Sequence, residues 1–271
     1  MLARRGALMG EDALLSGHPQ EVWCPGNDTH RTPFGGRNFE YYSECGYAKD
    51  RVPKDLPKYR TWGWGGIATS TNLVDWTRVG NIAVEGAPET VGWVAPCVKK
   101  FDGKIHIFAQ GHDARGIDAP KDKAPGKLNV LWHATSDDGI HFKSETDKPA
   151  FIAKNEWSLN RAIDAEDYRV GDRMMLMFAT REHPTANIQQ LGMAWAKYGS
   201  SYSISDWHEL SIKAPFFKPD LPWEMKCIEA PTVIFRKGIW YMFYAGAYNH
   251  ERQQIGVAWS KDGISYTRWR G

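Results

Sequence analysis

A strongly apolar hairpin pattern recurs three times along the chain. Each copy has an apolar run, a polar turn pair, and a second apolar run. Turn pairs such as Asp-Gly between two apolar runs are typical of β-hairpins. The pattern therefore predicts three equivalent hairpins, which align without gaps. They read WVAPCVKKFDGKIHIFAQG from Trp93, AIDAEDYRVGDRMMLMFAT from Ala162 and CIEAPTVIFRKGIWYMFYA from Cys227, with turns at Asp102-Gly103, Gly171-Asp172 and Lys237-Gly238.

A second hairpin follows each of these and occurs once before them. It has a strand of small residues, a polar turn after Ser or Lys, and an aromatic residue that opens another strand. Two hairpins make a four-stranded antiparallel sheet, and the unit recurs about every 65 residues. Radial repetition of such sheets is typical of propellers. We therefore predict an all-β fold, a β-propeller of four-stranded antiparallel blades, with blades over residues 25–80, 93–145, 162–210 and 228–271.

The N-terminal residues 1–24 lie outside this repeat. They form an N-terminal extension or a closing segment in our interpretation, and residues 25–271 form the propeller. The first twenty residues contain two arginines, but Glu11 and Asp12 interrupt any apolar run, so the pattern does not indicate a signal peptide. The expectation is a cytoplasmic protein, or an exported one whose leader is absent from this sequence.

Composition narrows the function classes. The formal net charge is +2, and no Lys/Arg run occurs, so neither a nucleic-acid nor a membrane partner is expected. The 13 Trp, 11 Tyr and 11 Phe favour strands and suit the clefts that bind sugars. The four cysteines match no zinc pattern, and buried free thiols are expected.

Carboxylates occur at the start of the repeat. Asp164 and Glu229 occupy the same position in the gapless alignment, and Asp28 precedes the first apolar strand of blade one. The first strand of each propeller blade lines the central channel, so these three side chains are predicted to meet at one end of it. Glycoside hydrolysis needs two carboxyl groups flanking the glycosidic bond, and a third can raise the pKa of the acid. Taken singly, each could instead be a turn-forming residue.

Two further side chains are candidates for sugar binding. Trp93 begins the blade-two repeat and could form a platform for a sugar ring, or could pack between blades. His30 follows Asp28 by two residues and could contact a sugar hydroxyl, or could be an ordinary loop histidine.

These motifs resemble those of family 43 glycoside hydrolases and cover most of the chain in the family order. The resemblance places the chain in the five-bladed propeller clan that also holds families 32, 62 and 68. The matching segments are Ile228-Glu229-Ala230-Pro231 for the general acid, Arg161-Ala162-Ile163-Asp164 for Ile-Asp-Pro (with Ala165 in place of Pro), Trp93-Val94-Ala95-Pro96 for Trp-Ala-Pro, and residues 66–80 for Ser-x-Asp-Leu-x-x-Trp (with Asn72 in place of Asp).

The resemblance implies roles for the acids. Glu229 would be the general acid, Asp164 would tune its pKa, and Asp28 would be the base or nucleophile. Arg161 is similar to the arginine of the Arg-Asp-Pro element of family 32 and would contact the substrate. The local competitors for these roles are Glu166, Asp167 and Glu224.

The resemblance leaves the fifth blade and the cofactor open. Four blades are visible, so the fifth could be absent, formed partly by residues 1–24, or supplied by another chain. An open blade edge also makes a homo-oligomer one expectation. No cofactor is expected. Family members often hold a cation with a histidine of the last blade, but no such histidine is apparent here, so a structural calcium has no support from the sequence.

Three functions remain open at this point. The first is hydrolysis of terminal or side-chain β-xyloside or α-L-arabinofuranoside bonds in an oligosaccharide or polysaccharide-derived substrate. The second is a family 32-like fructosidase, although the family's Glu-Cys pair at the acid is missing. The third is a non-catalytic propeller that binds carbohydrate or protein.

Overall fold

A computed structural model describes most of the repeat region. It describes residues 22–23, 30–34, 36–45, 64–88, 91–111, 129–158, 161–181, 188–248 and 251–270. The chain divides into two compact units, one of Met1–Asp113 with Trp132–Lys148 and one of Ala114–Leu131 with Pro149–Gly271. The boundary predicted near residue 24 lies outside the described residues, but Val22–Trp23 pairs with the first sheet.

The first unit contains two sheets. The first has the order β1-β3-β4-β5 with β2 also paired to β3, and the second has the order β6-β10-β9-β8-β7. All of their pairings are antiparallel except the short β6–β10 pair. The strands are β1 (Val22–Trp23), β2 (His30–Phe34), β3 (Arg37–Cys45), β4 (Trp64–Ser70), β5 (Thr77–Asn81), β6 (Val84–Glu85), β7 (Val94–Phe101), β8 (Lys104–Gly111), β9 (Val130–Ser136), whose first two residues are counted with the second unit, and β10 (Phe142–Lys143).

The second unit contains two four-stranded antiparallel sheets, each with its strands in chain order. They are β11 (Ile163–Val170), β12 (Arg173–Arg181), β13 (Gln189–Lys197) and β14 (His208–Glu209), then β15 (Ile228–Arg236), β16 (Ile239–Gly246), β17 (Gln254–Ser260) and β18 (Thr267–Arg268). In the described residues the only helix is a 3₁₀ turn, Pro222–Glu224. No helix in this part of the chain is long and apolar enough to cross a membrane.

The predicted fold class is confirmed. The chain is an all-β β-propeller, and four blades lie within the described residues. The predicted turn pairs at residues 102–103, 171–172 and 237–238 each separate the first two strands of a hairpin. Cys97 and Cys227 are buried free thiols, as expected. Cys24 lies outside the described residues, as does the side chain of Cys45.

The first strand of each repeated hairpin has the same irregularity. The pairing of β7, β11 and β15 with the following strand shifts register two or three residues after the strand begins to pair. One residue at each shift takes a left-handed backbone conformation, which bends the strand. These residues are Ala95 (φ 47°), Asp164 (φ 51°) and Ala230 (φ 48°).

The bulge corrects the gapless alignment. Glu229 pairs with Ala245 before the bulge, as Ile163 pairs with Ala179 before its own. Glu229 is therefore equivalent to Ile163 and not to Asp164. The reason is that β15 has 9 residues and β11 has 8, so β15 carries one extra residue at its start.

Blades three and four pack through an apolar layer and buried hydrogen bonds. The layer includes Met175, Met177, Met242 and Tyr244 among its buried members. The Tyr168 hydroxyl, on β11, donates to the carbonyl of Gly263 at 2.7 Å. Gly263 has φ +72°, and a Cβ there would lie 2.6 Å from Cγ2 of Val170, so the turn requires glycine.

The turn between β17 and β18 is held by two side chains. Asp262 Oδ1 accepts hydrogen bonds from Ser260 Oγ at 2.7 Å and from the backbone N–H groups of Ile264 at 2.8 Å and Ser265 at 2.7 Å. These donors hold the pKa of Asp262 well below its usual range. The same contacts recur at Ser136 with Asp138 and at Ser70 with Asn72.

We predict that Asp262→Ala destabilises the protein by about 1 kcal/mol, because two turn N–H groups lose their acceptor. Asp262→Asn is the matched control, since Asn72 fills the same role with an amide oxygen. The lowered pKa stabilises the fold above the ordinary aspartate value of about 4, and this contribution fades as pH falls below it. Urea unfolding at pH 7 and at about pH 2.5 checks both points, and equal losses for Ala and Asn would contradict them.

Candidate active site

Glu229 lies where the equivalent strands carry apolar side chains. Val94 and Ile163 hold this position in blades two and three, and both are buried. Asp164 likewise replaces alanine, since Ala95 and Ala230 occupy the bulged position in the other blades. Because desolvating a carboxyl group costs free energy, two acids at apolar repeat positions indicate function more strongly than packing.

Both carboxyl oxygens of Glu229 accept hydrogen bonds from amides. Nε2 of Gln189 donates to Oε2, and Nε2 of Gln253 donates to Oε1 at 3.0 Å. The thiol of Cys227, two residues earlier in the chain, lowers the pKa of this carboxyl group. The Glu229 side chain is fixed by amide donors on two different segments of the second unit.

The pKa of Glu229 is raised above its ordinary value, chiefly because burial disfavours the charged form. The Cys227 thiol, the charges of Arg161 and Arg181, and the hydrogen bond from Gln253 all act in the opposite direction. Burial outweighs them, and a carboxyl group tuned in this way can keep its proton toward neutral pH.

Asp164 shares its electrostatic neighbours with Glu229. Both carboxylates favour the charged form of Arg161, and both raise the pKa of Cys227. The two acids therefore act on one set of groups at the start of β11 and β15. The left-handed backbone of Asp164 suits this residue, because aspartate tolerates that conformation better than most side chains do.

Two arginines and a tyrosine complete the group. Burial lowers the pKa of Arg161, and the charge of Arg181 lowers it further. The guanidinium of Arg181 lies 5.5 Å from the ring centroid of Tyr248. Burial raises the pKa of Tyr248, so its phenol keeps its proton and can donate a hydrogen bond. We call this set the Glu229 cluster; it comprises Arg161, Asp164, Arg181, Gln189, Cys227, Glu229, Tyr248 and Gln253.

The structure thus brings together Asp164, Glu229 and Arg161 of the predicted site residues. Asp28 lies outside the described residues. His30 begins β2, but its side chain also lies outside them. Trp93 belongs to the first unit, where it is 3% exposed and its ring packs edge-on against Trp132 at 6.4 Å. The roles of Asp28, His30 and Trp93 stay predictions.

Glu224, one of the competing acids, has a structural role. It is fully buried, and it accepts hydrogen bonds from the Tyr244 hydroxyl at 2.6 Å and from Arg268 Nε at 2.8 Å. Backbone N–H groups of Asp220 and Leu221 also donate to it. Its oxygens are therefore used in holding the 3₁₀ turn against blade four.

Glu166 also serves the packing of the blades. It is fully buried, and its Oε1 accepts a hydrogen bond from the backbone N–H of Val233 at 2.7 Å, which joins blade three to blade four. Asp167, the next residue, is 1% exposed.

Five members of the cluster were not predicted as site residues from the sequence: Arg181, Gln189, Cys227, Tyr248 and Gln253. Arg181 ends β12 and Gln189 begins β13, at opposite ends of one connection. Tyr248 and Gln253 flank the connection between β16 and β17. Their position in the repeat could have identified these residues. Polar residues at the β12–β13 and β16–β17 connections lie at the same end of the blade as the start of the first strand.

Among the described residues, no group of three or more His, Cys, Asp and Glu side chains is placed to hold a metal ion.

No family model matches the chain, and no curated protein matches it in sequence. Solved structures match its fold. An endo-1,4-beta-xylanase from Bacteroides thetaiotaomicron is 16% identical, over 93% of this chain and 74% of that one, with a TM-score of 0.59. A thermostable family-43 glycoside hydrolase is 18% identical, over 90% and 72%, with a TM-score of 0.63. A GH32 beta-fructofuranosidase from Bombyx mori is 14% identical, over 99% and 55%, with a TM-score of 0.62.

These similarities define the class of fold. The chain has the β-propeller fold of solved family 43 and family 32 glycoside hydrolases, so the resemblance seen in the sequence motifs is confirmed at the level of the fold.

We predict that Glu224→Gln lowers the free energy of unfolding by about 3 kcal/mol, because it breaks a buried pair with Arg268. Glu156→Gln is the matched control and should cost much less, because its pair with Lys213 is exposed to solvent. Denaturant unfolding of both variants is the measurement. A larger loss for Glu156→Gln would contradict the structural role of Glu224.

Proposed function

We propose that this protein is a glycoside hydrolase in which Glu229 is the general acid. The observation that carries the proposal is a carboxyl group with a raised pKa at a repeat position that is apolar in the equivalent strands. The fold, which is similar to that of solved glycoside hydrolases, supports the same reading.

In the proposed reaction, Glu229 gives its proton to the glycosidic oxygen as the bond to C1 breaks. In an inverting reaction Asp28 removes a proton from the water that attacks C1. Asp28 thus gains one proton while Glu229 gives one to the leaving group. In a retaining reaction Asp28 attacks C1 as the leaving group departs and forms a glycosyl-enzyme ester, and water, deprotonated by Glu229, then breaks that ester and frees Asp28. The separation of the two carboxyl groups decides between them, at ~6.5–9.5 Å for inversion and about 5–5.5 Å for retention.

Asp164 has a supporting role in this proposal. Arg161 lowers the pKa of Glu229, and Asp164 interacts with the same guanidinium. The negative charge of Asp164 offsets part of the positive charge of Arg161. Arg161 therefore lowers the pKa of Glu229 less, and Glu229 keeps its proton more readily. Arg161 would also contact a sugar hydroxyl, as its resemblance to the family 32 arginine implies.

The proposed substrates are terminal or side-chain β-xyloside or α-L-arabinofuranoside bonds. Family 43 motifs in the sequence favour these, as do the xylanase and the family-43 hydrolase among the similar structures. A β-fructofuranoside is the second candidate, because the family 32 fructofuranosidase has a TM-score of 0.62 and covers 99% of this chain.

Sugar release from a panel of aryl β-xylosides and α-L-arabinofuranosides, with sucrose for the fructosidase alternative, tests the proposal. We expect activity on at least one substrate and a loss of 10²–10⁴-fold in kcat for Glu229→Gln, the range for removal of a general acid. Glu156→Gln, in an exposed pair with Lys213, is the control and should keep full activity.

Undiminished activity of Glu229→Gln would overturn the assignment of the acid. If the wild-type protein binds xylan or arabinan oligosaccharides but releases no sugar from any substrate, the non-catalytic binding propeller would replace the enzyme.

The pH dependence follows from the sign of the shift. Because the pKa of Glu229 is raised, the acid stays protonated above the ordinary glutamate value, and kcat/KM should fall only as pH rises through the higher pKa. We predict a basic limb at a pH above the ordinary glutamate pKa of about 4.3, measured with the best substrate of the panel. A basic limb at or below that ordinary value would contradict the raised pKa.

A further inference from the structure

The two amides that bind Glu229 are themselves fixed in one orientation. Oε1 of Gln189 accepts a hydrogen bond from Arg181 Nε at 3.2 Å, so its Nε2 must face the carboxyl group. Nε2 of Gln253 donates both to Glu229 and to the carbonyl oxygen of Ala247 at 3.1 Å. Reversing either amide would bring two donors or two acceptors together.

We propose that Gln189 and Gln253 are positioning residues that aim the proton of Glu229. Each amide uses a lone pair on one carboxyl oxygen, and neither can accept a proton from it in its fixed orientation. When Glu229 is protonated, its O–H must therefore point to another acceptor, and the glycosidic oxygen of a bound substrate is one that the reaction supplies.

The two residues suit this role for different reasons. Gln189 is 1% exposed and begins β13, where its backbone N–H donates to the carbonyl of Lys226 at 2.9 Å, just before the segment that carries Glu229. Gln253 is half-buried and precedes β17. One amide is thus anchored in blade three and the other in blade four, so the carboxyl group is held from both sides of the packed pair.

The two amides also set the pKa of the acid. An N–H donor stabilises the carboxylate more than the protonated form, so the hydrogen bond from Gln253 lowers the pKa that burial raises. Removal of either donor should move the pKa of Glu229 upward. Removal of a residue that only supported the local fold would not be expected to raise the pKa of Glu229 consistently.

The variants are Gln189→Met and Gln253→Met, which keep the length of the side chain and remove the donor. Gln190→Met is the matched control, because neighbouring side chains of β13 point to opposite faces. Gln253 lies outside the strands and is half-buried, so Gln253→Met keeps the test available if Gln189→Met unfolds.

The first readout does not need activity. In protein labelled with ¹³C at glutamate side-chain carboxyls, the titration of Glu229 is assigned by its loss in Glu229→Gln. We expect its pKa to rise by roughly one unit in Gln189→Met and Gln253→Met, and to stay unchanged in Gln190→Met. A pKa that stays the same or falls in both donor variants would overturn the proposal.

The second readout rests on the proposed function. In an active enzyme, the donor variants should lose about tenfold to a hundredfold in kcat at their optimum, because the proton is no longer aimed, while the basic limb moves to higher pH. A shifted pKa with full activity would overturn the aiming role. If the wild-type protein shows no hydrolysis but the pKa shift appears, the proposed function fails and the fixing of the Glu229 carboxyl group by the two amides stands.

Discussion

Partial burial of the Glu229 carboxyl group is the constraint on which the rest of the site depends. A carboxylate partly removed from water must gain donors or keep its proton, and this one does both in part. The fold supplies two amides as donors and two arginines as nearby charges, yet the pKa remains raised. Burial raises the pKa of Glu229, while the donors and the arginines limit the rise. The carboxyl group is therefore held in place and can both carry a proton and release it.

The propeller tolerates this arrangement because most of its hydrogen bonds and apolar contacts lie away from the Glu229 cluster, which occupies one end of blades three and four. The bulge at the start of β11 moves Asp164 out of the regular ladder, and the extra residue of β15 places Glu229 before its own bulge. Glu166 and Glu224 are fully buried acids with structural roles: Glu166 joins blade three to blade four, and Glu224 holds the 3₁₀ turn against blade four. Glutamate thus has a structural role at residues 166 and 224 and a proposed chemical role at residue 229. The hydrogen-bond partners of each carboxyl group distinguish the two roles.

Much of this could be predicted from the sequence, and the limits have physical causes. The strands and turns follow from apolar runs and Gly-containing turn pairs, which are local signals. The position of Glu229 relative to Asp164 was predicted wrongly, because the gapless alignment matched the starts of the hairpins. Alignment on the turn pairs Gly171-Asp172 and Lys237-Gly238 places Glu229 opposite Ile163, as the strand pairing does. Gln189, Gln253 and Arg181 carry no motif; they matter because antiparallel pairing brings the β12–β13 and β16–β17 connections to the end of the sheet where Glu229 begins its strand.

The central claim is that Glu229 donates the proton to the leaving oxygen, and the dependence of rate on the leaving group tests it most directly. The measurement compares kcat/KM of the wild type and Glu229→Ala on aryl glycosides of one sugar, from phenyl to 2,4-dinitrophenyl. A dinitrophenolate leaves without protonation, so the variant should lose at least a hundredfold more activity on the phenyl glycoside than on the dinitrophenyl one, within the range of general acid catalysis. Equal losses on both substrates would contradict the role of Glu229 as the acid.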